Sequence, residues 1–232
     1  MPSHYIESEV VKNNPSLYLA IDTSVSWIHK EKFIYDFVGR LSKGIKVLDI
    51  GCGNGHFLSR LREQGWQNLQ GVDIANYLQD KSIAHSVVDI NVEKLPFPDN
   101  SFDVVTAFQV LEHLENYFLI EQEIKRILKP GGYFIFSVPN QMNFFFRLKF
   151  ALTGNMEGWS QKNNHLLFLT RDVFAKTYLK DFDLVNTHYN KGHVPMLGRL
   201  KFIPGLNLKS RTRILPRSEL FSDRVCYLLQ KK

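Results

Sequence analysis

The chain has little cysteine and no long apolar run. Its 2 cysteines, Cys52 and Cys226, lie far apart, and neither is flanked by the spacing that a zinc site or a redox dithiol needs. That excludes cysteine-based metal or redox chemistry and makes a reduced, cytoplasmic setting the expectation. No stretch approaches the ~20 apolar residues of a spanning helix. The opening MPSHYIESEVVKNN carries acids early and lacks the basic-then-apolar pattern of a signal peptide. Internal repeats and low-complexity segments are also lacking, which excludes solenoid and fibrous architectures. What remains is an ordinary globular composition, 44% hydrophobic and 22% charged over 232 residues. That length suits one α/β domain with a large core and is slightly short for two.

Charge is unevenly placed within the net +6. From Lys191 onward ten basic residues face two acids, Glu219 and Asp223. Such a tail favours anionic neighbours, although a solvated loop face explains it equally well.

Periodicity orders the chain. Tyr5 to Leu41 reads as a helical lead-in, with Trp27, Ile28, Phe33, Ile34, Phe37 and Val38 at helix-like spacing before Lys43-Gly44. Ile45 to Ile50 is a short apolar run ending in glycines, as a buried parallel strand would be. Further strands are expected at Leu69 to Ile74, Ala84 to Ile90, Phe102 to Phe108 and Tyr133 to Val138, then at Phe182 to Tyr189 and Arg224 to Leu229. Helices are expected at His56 to Gln64, Glu112 to Leu128 and Arg171 to Leu179, with Lys129-Pro130-Gly131-Gly132 stopping the second. Alternation of this kind predicts a Rossmann-like, doubly wound, mostly parallel sheet of seven strands. The expected single domain divides into a helical lead-in or lid over 1–44, a ligand-binding core over 45–140, and an acceptor lid with closing strands over 141–232.

The densest chemical signal is Val47-Leu48-Asp49-Ile50-Gly51-Cys52-Gly53-Asn54-Gly55. Glycines where a strand meets a helix let a ligand approach the backbone, and amides at the helix start can donate to it. Asp73 ends the second strand about 20 residues later, where a carboxylate can accept both hydroxyls of a ribose. An adenosine-type ligand is implied. The spacing GxGxG differs from the GxGxxG of dinucleotide folds, which counts against a nicotinamide cofactor.

With VLDIGCGNG, GVDI, LPFPDNSFDVVTAFQVLEHL and RILKPGGYFIFSVPN in this order over Val47 to Asn140, the chain resembles the class I S-adenosylmethionine-dependent methyltransferases, type 11-like. The resemblance implies S-adenosylmethionine as cofactor. It implies that Gly51 and Gly53 approach the methionine part and ribose, that Asp49 orients the amino group, and that Asp73, with Ile74 beside it, holds the ribose hydroxyls. Asp89 and Ile90 match the adenine position, although Asn91 and Val92 are extra residues before the LPF loop. Phe108 and Gln109 match residues at the methionine end, where Phe108 is equally explained by core packing.

Methyl transfer is mostly positioning, but an oxygen or nitrogen acceptor must usually also lose a proton, and histidine suits that task. His113 follows the fourth strand. His165 lies in HLLFLT, which resembles the His-x-x-x-Phe-Thr stretch of relatives acting on lipid-like or sugar acceptors. Either is a candidate catalytic base; the more ordinary alternative is that His113 caps or packs the helix and His165 hydrogen-bonds the backbone. Glu112 and Glu115 read as favourable to a helix dipole and receive no catalytic role. Cys52 reads as a small, unreactive loop residue. No metal ligands are assigned.

Asn143 to Leu152 mixes four phenylalanines with Arg147 and Lys149. It reads as an acceptor lid, an amphipathic helix touching a membrane surface, or a helix packed on the lead-in. The expected partner is a small-molecule acceptor, anionic or lipid-like: a sugar, a nucleotide sugar or an isoprenoid. Nucleic acid is disfavoured, because no Asn-Pro-Pro-Tyr-type motif follows the fourth strand and no recognition motif interleaves the basic residues. Two rivals stand beside this reading. One is a non-catalytic S-adenosylmethionine-binding module working through a protein partner. The other is a nicotinamide oxidoreductase.

Overall fold

A computed structural model describes residues 32–157, 159, 165–192 and 215–232. Most of the expected lead-in, Trp27 and Ile28 included, and the middle of the basic segment after Lys191 lie outside the described residues. In chain order the described elements are α1 (Lys32–Val38), β1 (Val47–Ile50), α2 (His56–Glu63), β2 (Leu69–Asp73), β3 (Ala84–Val87) and β4 (Phe102–Phe108). After β4 come a 3-10 turn (Leu111–His113), α3 (Tyr117–Ile127), β5 (Leu128–Pro139), α4 (Phe144–Thr153), α5 (Arg171–Thr177), β6 (Phe182–Tyr189) and β7 (Arg224–Lys231).

The seven strands form one sheet in the order β3-β2-β1-β4-β5-β7-β6. β1 to β5 pair in parallel, whereas β7 runs antiparallel to both β5 and β6. This is the expected Rossmann-like, mostly parallel seven-stranded sheet. Strand order reverses between β1 and β4, so their following loops diverge and leave a crevice at the carboxyl edge, where ligands of open α/β sheets bind.

Side chains alternate across the sheet with the period of two that strands impose. Leu48, Ile50, Val105, Phe134 and Phe136 face one side, against Ile120, Ile124 and Ile127 of α3 and Phe174 and Tyr178 at α5. Val47, Val104, Ile135 and Leu228 face the other, against Ile34 and Val38 of α1 and Phe57, Leu58 and Leu61 of α2. Both faces are therefore covered, as a parallel sheet requires.

The segment after β4 departs from expectation. One helix over Glu112 to Leu128 is replaced by the 3-10 turn, an extended Leu114 (φ −86°, ψ 130°), and a helix starting only at Tyr117. Asn116 supplies the start signal, its side chain accepting from the Leu119 amide at 3.3 Å. Asn91 Oδ1 accepts from the Glu115 amide at 3.0 Å, holding the chain extended just before that cap. Leu114 is buried without being helical, so an apolar position counted toward a helical stripe belongs instead to the connection. β5 is also longer than expected. It pairs at Leu128 and again from Tyr133, and the Lys129 to Gly132 stretch falls at the irregularity between.

Two residues of the basic tail have local work. Lys231 Nζ donates to the Lys125 and Leu128 carbonyls at 2.8 and 2.6 Å, and Lys232 Nζ to the Leu179 carbonyl at 2.8 Å. A cation near the last carbonyls of a helix opposes the negative end of its dipole. No helix among the described residues is long and apolar enough to cross a membrane.

Candidate active site

Asp49 lies in β1 close to its carboxyl end, 4% exposed, and its Oδ1 accepts the Thr106 hydroxyl at 2.6 Å. The chain then turns through Gly51 at φ +65° and Gly53 at φ +53°. The Gly51 and Cys52 amides both donate to the Val72 carbonyl, at 2.8 and 3.1 Å, which pins the loop to β2. At Gly51 a side chain is excluded twice, because L residues rarely adopt that φ and because an added Cβ would lie 2.3 Å from Val110 Cγ2. α2 begins directly after Gly55, so the first amides of that helix open beside the glycine loop.

Asp73 closes the other side. Its carboxylate accepts the Gly53 amide at 2.9 Å and the Ile74 amide at 2.7 Å, and it is 6% exposed. The Tyr77 hydroxyl has its pKa raised, first by burial and then by the charge of Asp73. Asp49, Gly51, Gly53, Asp73 and Ile74 are thus gathered at the crevice by the ends of β1 and β2. Asp89 and Ile90 follow past the end of β3, with the Val88 amide bound to the Asp73 carbonyl at 3.0 Å. Asp89 is engaged in its own turn: Oδ1 takes the Asn91 amide at 3.1 Å, and its carbonyl takes those of Val92 and Glu93. Asn91 and Val92, extra by sequence, build that turn.

Gln109 leaves β4 at φ +57°, one of two non-glycine residues among the described ones with positive φ. Its amide and its side-chain Nε2 both reach Ser137, at 3.0 Å to the carbonyl and 3.3 Å to Oγ, which holds the strained residue in place. Phe108 is buried and meets Phe57 edge-on at 5.1 Å between ring centroids, which is core packing.

The loop that starts at Gln109 carries a second group. His113 and His165, distant in sequence, bring their rings to 4.8 Å between centroids at 70°. The backbone makes the meeting: the Leu166 and Leu167 amides donate to the Glu112 carbonyl at 2.6 and 3.2 Å. Trp159 flanks His165 at 5.3 Å. Glu112 brings a carboxylate oxygen within 4.8 Å of a ring nitrogen of each histidine; it is 1% exposed, with neither carboxylate oxygen hydrogen-bonded among the described residues. Burial pushes its pKa up to about 8, opposed in part by the dipole of its own backbone amide and by the charge of Arg224. Glu112 therefore does not favour a helix dipole as expected, since the α-helix begins only at Tyr117 and the side chain sees almost no water. Its sequence signal was the pair of leucines on either side, Leu111 and Leu114, both buried.

Val110 joins the two groups, because its side chain sits against Gly51 while its carbonyl takes the His113 amide at 3.0 Å.

A family model described as methyltransferase domain matches residues 27–189. The chain belongs to the class I S-adenosylmethionine-dependent methyltransferases. A probable S-adenosylmethionine-dependent methyltransferase of Mycolicibacterium smegmatis is 33% identical over 126 residues, 51% of this chain and 47% of that protein. A demethylmenaquinone methyltransferase of Listeria welshimeri is 31% identical over 154 residues, 62% of this chain and 60% of that protein. The matches thus span about half the length of these relatives. Among solved structures, an S-adenosylmethionine-dependent methyltransferase from Archaeoglobus fulgidus superposes with a TM-score of 0.64 at 18% identity, over 92% of this chain and 99% of that one, which shows the shared fold. S-adenosylmethionine is the cofactor this family and fold imply. The residues present fit it: two buried carboxylates, Asp49 and Asp73, bracket a loop in which Gly51 and Gly53, both at positive φ, carry no side chain.

Proposed function

We propose that the chain transfers a methyl group from S-adenosylmethionine to a small-molecule acceptor of sugar, nucleotide-sugar or isoprenoid type. The observation that carries this reading is the Gly51–Val110 contact, by which one loop both closes on the cofactor cradle and presents the His113–His165 pair. S-adenosylmethionine supplies an electrophilic methyl whose leaving group is a neutral thioether. Asp49 orients the cofactor's amino group, Asp73 accepts its ribose hydroxyls, and Gln109 lines its methionine end. Asp89 and Ile90 take the adenine side. The histidine pair receives the acceptor and promotes loss of its proton.

The chemistry of the rim supports the acceptor class. α4 follows β5 at the same sheet edge, capped by Asn143, whose Oδ1 accepts the Phe145 amide at 2.8 Å. Of its phenylalanines only Phe146 is buried, whereas Phe144, Leu148, Phe150 and Leu152 are exposed beside Arg147 and Lys149. A helix apolar and cationic on its open side suits a lipid-like or anionic acceptor, or an anionic membrane surface that delivers one. The named substrate of the Listeria relative, demethylmenaquinone, agrees in kind.

Calorimetric titration with S-adenosylmethionine, S-adenosylhomocysteine and NADH, followed by a labelled-methyl screen over isoprenoid and sugar acceptors, tests this. Binding of the first two with turnover on one acceptor class supports it. Binding without turnover on any acceptor favours a non-catalytic cofactor-binding module working through a protein partner. Binding of NADH alone overturns it.

A further inference from the structure

We propose that Glu112, His113 and His165 form a site for one divalent transition-metal ion, zinc or a neighbour of similar preference, that takes up the acceptor's oxygen. The inference rests on the reading of this loop as the acceptor end of the site and gives the histidine pair a specific chemistry.

Three observations carry it. First, the donor set is two imidazoles and one carboxylate, with a ligand atom from each lying within 4.8 Å of the others. Two ligands on a tetrahedral zinc ion stand about 3.4 Å apart, given metal–ligand bonds of about 2.0–2.1 Å. Side-chain rotations of roughly an ångström would therefore close the set. Second, Glu112 is 1% exposed and both of its oxygens lack a hydrogen-bond partner among the described residues. A buried carboxyl is ordinarily satisfied, and one that is not calls for an explanation such as an ion. Third, the chain spends backbone hydrogen bonds on this meeting: the amides of Leu166 and Leu167 both converge on the Glu112 carbonyl, fixing His165 opposite the Glu112–His113 turn. Packing alone would not require two imidazoles and a carboxyl to share that point.

Two histidines and one carboxylate leave coordination positions open, as catalytic rather than structural sites do. An acceptor hydroxyl entering an open position has its pKa lowered by the ion, so its proton passes to solvent and the oxygen is left nucleophilic. The imidazoles then hold the ion and do not carry the proton themselves.

The test uses the full chain after dialysis against a chelator. Cobalt(II) is titrated while its visible d–d absorption is followed, and zinc(II) is titrated by calorimetry, for wild type, Glu112→Gln and His165→Asn. S-adenosylhomocysteine is titrated on the same samples. One equivalent of metal binding to wild type, weakened at least about a hundredfold in both variants with S-adenosylhomocysteine binding unchanged, is the expected result. Glu112→Gln keeps shape and hydrogen-bonding capacity, so it separates loss of a ligand from loss of the fold, which circular dichroism checks. Wild type that takes up no metal below millimolar concentration, or takes it up equally well as Glu112→Gln, overturns the proposal. If no metal binds but His165→Asn still loses turnover, the metal is wrong and the acceptor-end reading stands. If metal binds as expected and S-adenosylhomocysteine does not, the site stands and the methyltransferase reading falls.

Discussion

The Gly53 amide donates to Asp73 Oδ2 at 2.9 Å, bridging the loop after β1 to the end of β2. One carboxylate thus shapes the glycine loop, and in the proposed function it also accepts the ribose hydroxyls of the cofactor. Asp73→Ala removes both roles, and Asp73→Asn keeps one acceptor oxygen while placing an amide group where the second amide donor now points. Calorimetry with S-adenosylhomocysteine should show binding lost in Asp73→Ala and weakened by at least about tenfold, roughly 1.4 kcal/mol, in Asp73→Asn. Unchanged affinity in the alanine variant would remove Asp73 from the cofactor site.

Gly51 offers a cleaner separation of strain from contact. Gly51→Ala introduces a left-handed alanine, costing about 1–2 kcal/mol, and drives Cβ against Val110 Cγ2 at 2.3 Å. The single variant should lose stability and cofactor affinity together. Adding Val110→Ala should restore part of each, since it relieves the clash and leaves the φ of +65° strained. Strictly additive losses in urea melts of the two singles and the double would show that the two residues do not touch.

Much of this was legible in the chain because it is written locally. Runs such as Val47 to Ile50 and Phe134 to Val138 alternate between the two cores, and the glycines after Ile50 mark the turn where the sheet meets its ligand. What was not legible depends on long-range pairing. Glu112 reads as an acid favouring a helix dipole, and only the Leu166–Leu167 segment packed on its carbonyl and the burial of its side chain show otherwise. The helix start at Tyr117 was hidden because Leu114 continues the apolar stripe, and only the Asn91 side chain, from another loop, shows why the chain is extended there. Lys231 and Lys232 read as tail charge until their helix-end carbonyls are brought to them by β7.

Stability should depend on pH through Glu123. Its carboxylate accepts Arg126 Nη2 at 2.7 Å, Arg126 Nε at 3.0 Å and the Leu95 amide at 2.9 Å, while Arg126 also holds the Leu95 and Phe97 carbonyls of the proline-rich loop. The Arg126 hydrogen bonds hold the Glu123 pKa below its ordinary 4.5. A carboxylate depressed on folding contributes stability that is fully present above the unfolded value and is lost as pH falls through the folded one. Glu123→Gln should therefore be less stable than wild type at pH 7 by about 1–3 kcal/mol, and the gap should narrow below pH 4.5. Denaturant melts at several pH values measure it, and a gap that stays constant into acid would assign the loss to packing.

The exposed side of α4 separates acceptor recognition from folding. Phe150 is 51% and Leu152 75% exposed, so replacing either with serine gives up little burial and should change stability by no more than about 0.5 kcal/mol. If this face meets a lipid-like acceptor, Phe150→Ser and Leu152→Ser should raise KM for an isoprenoid acceptor severalfold, leave S-adenosylhomocysteine affinity alone, and leave kcat nearly unchanged, because uniform binding is lost while transition-state contacts are kept. Arg147→Gln should act differently. It removes a cation, so its effect should appear only with phosphorylated acceptors or anionic vesicles and should fade as salt rises. Steady-state kinetics with matched neutral and phosphorylated acceptors distinguishes the two. Equal loss on every acceptor would place α4 in folding or in the cofactor site, and no loss on any would leave it without a part in acceptor binding.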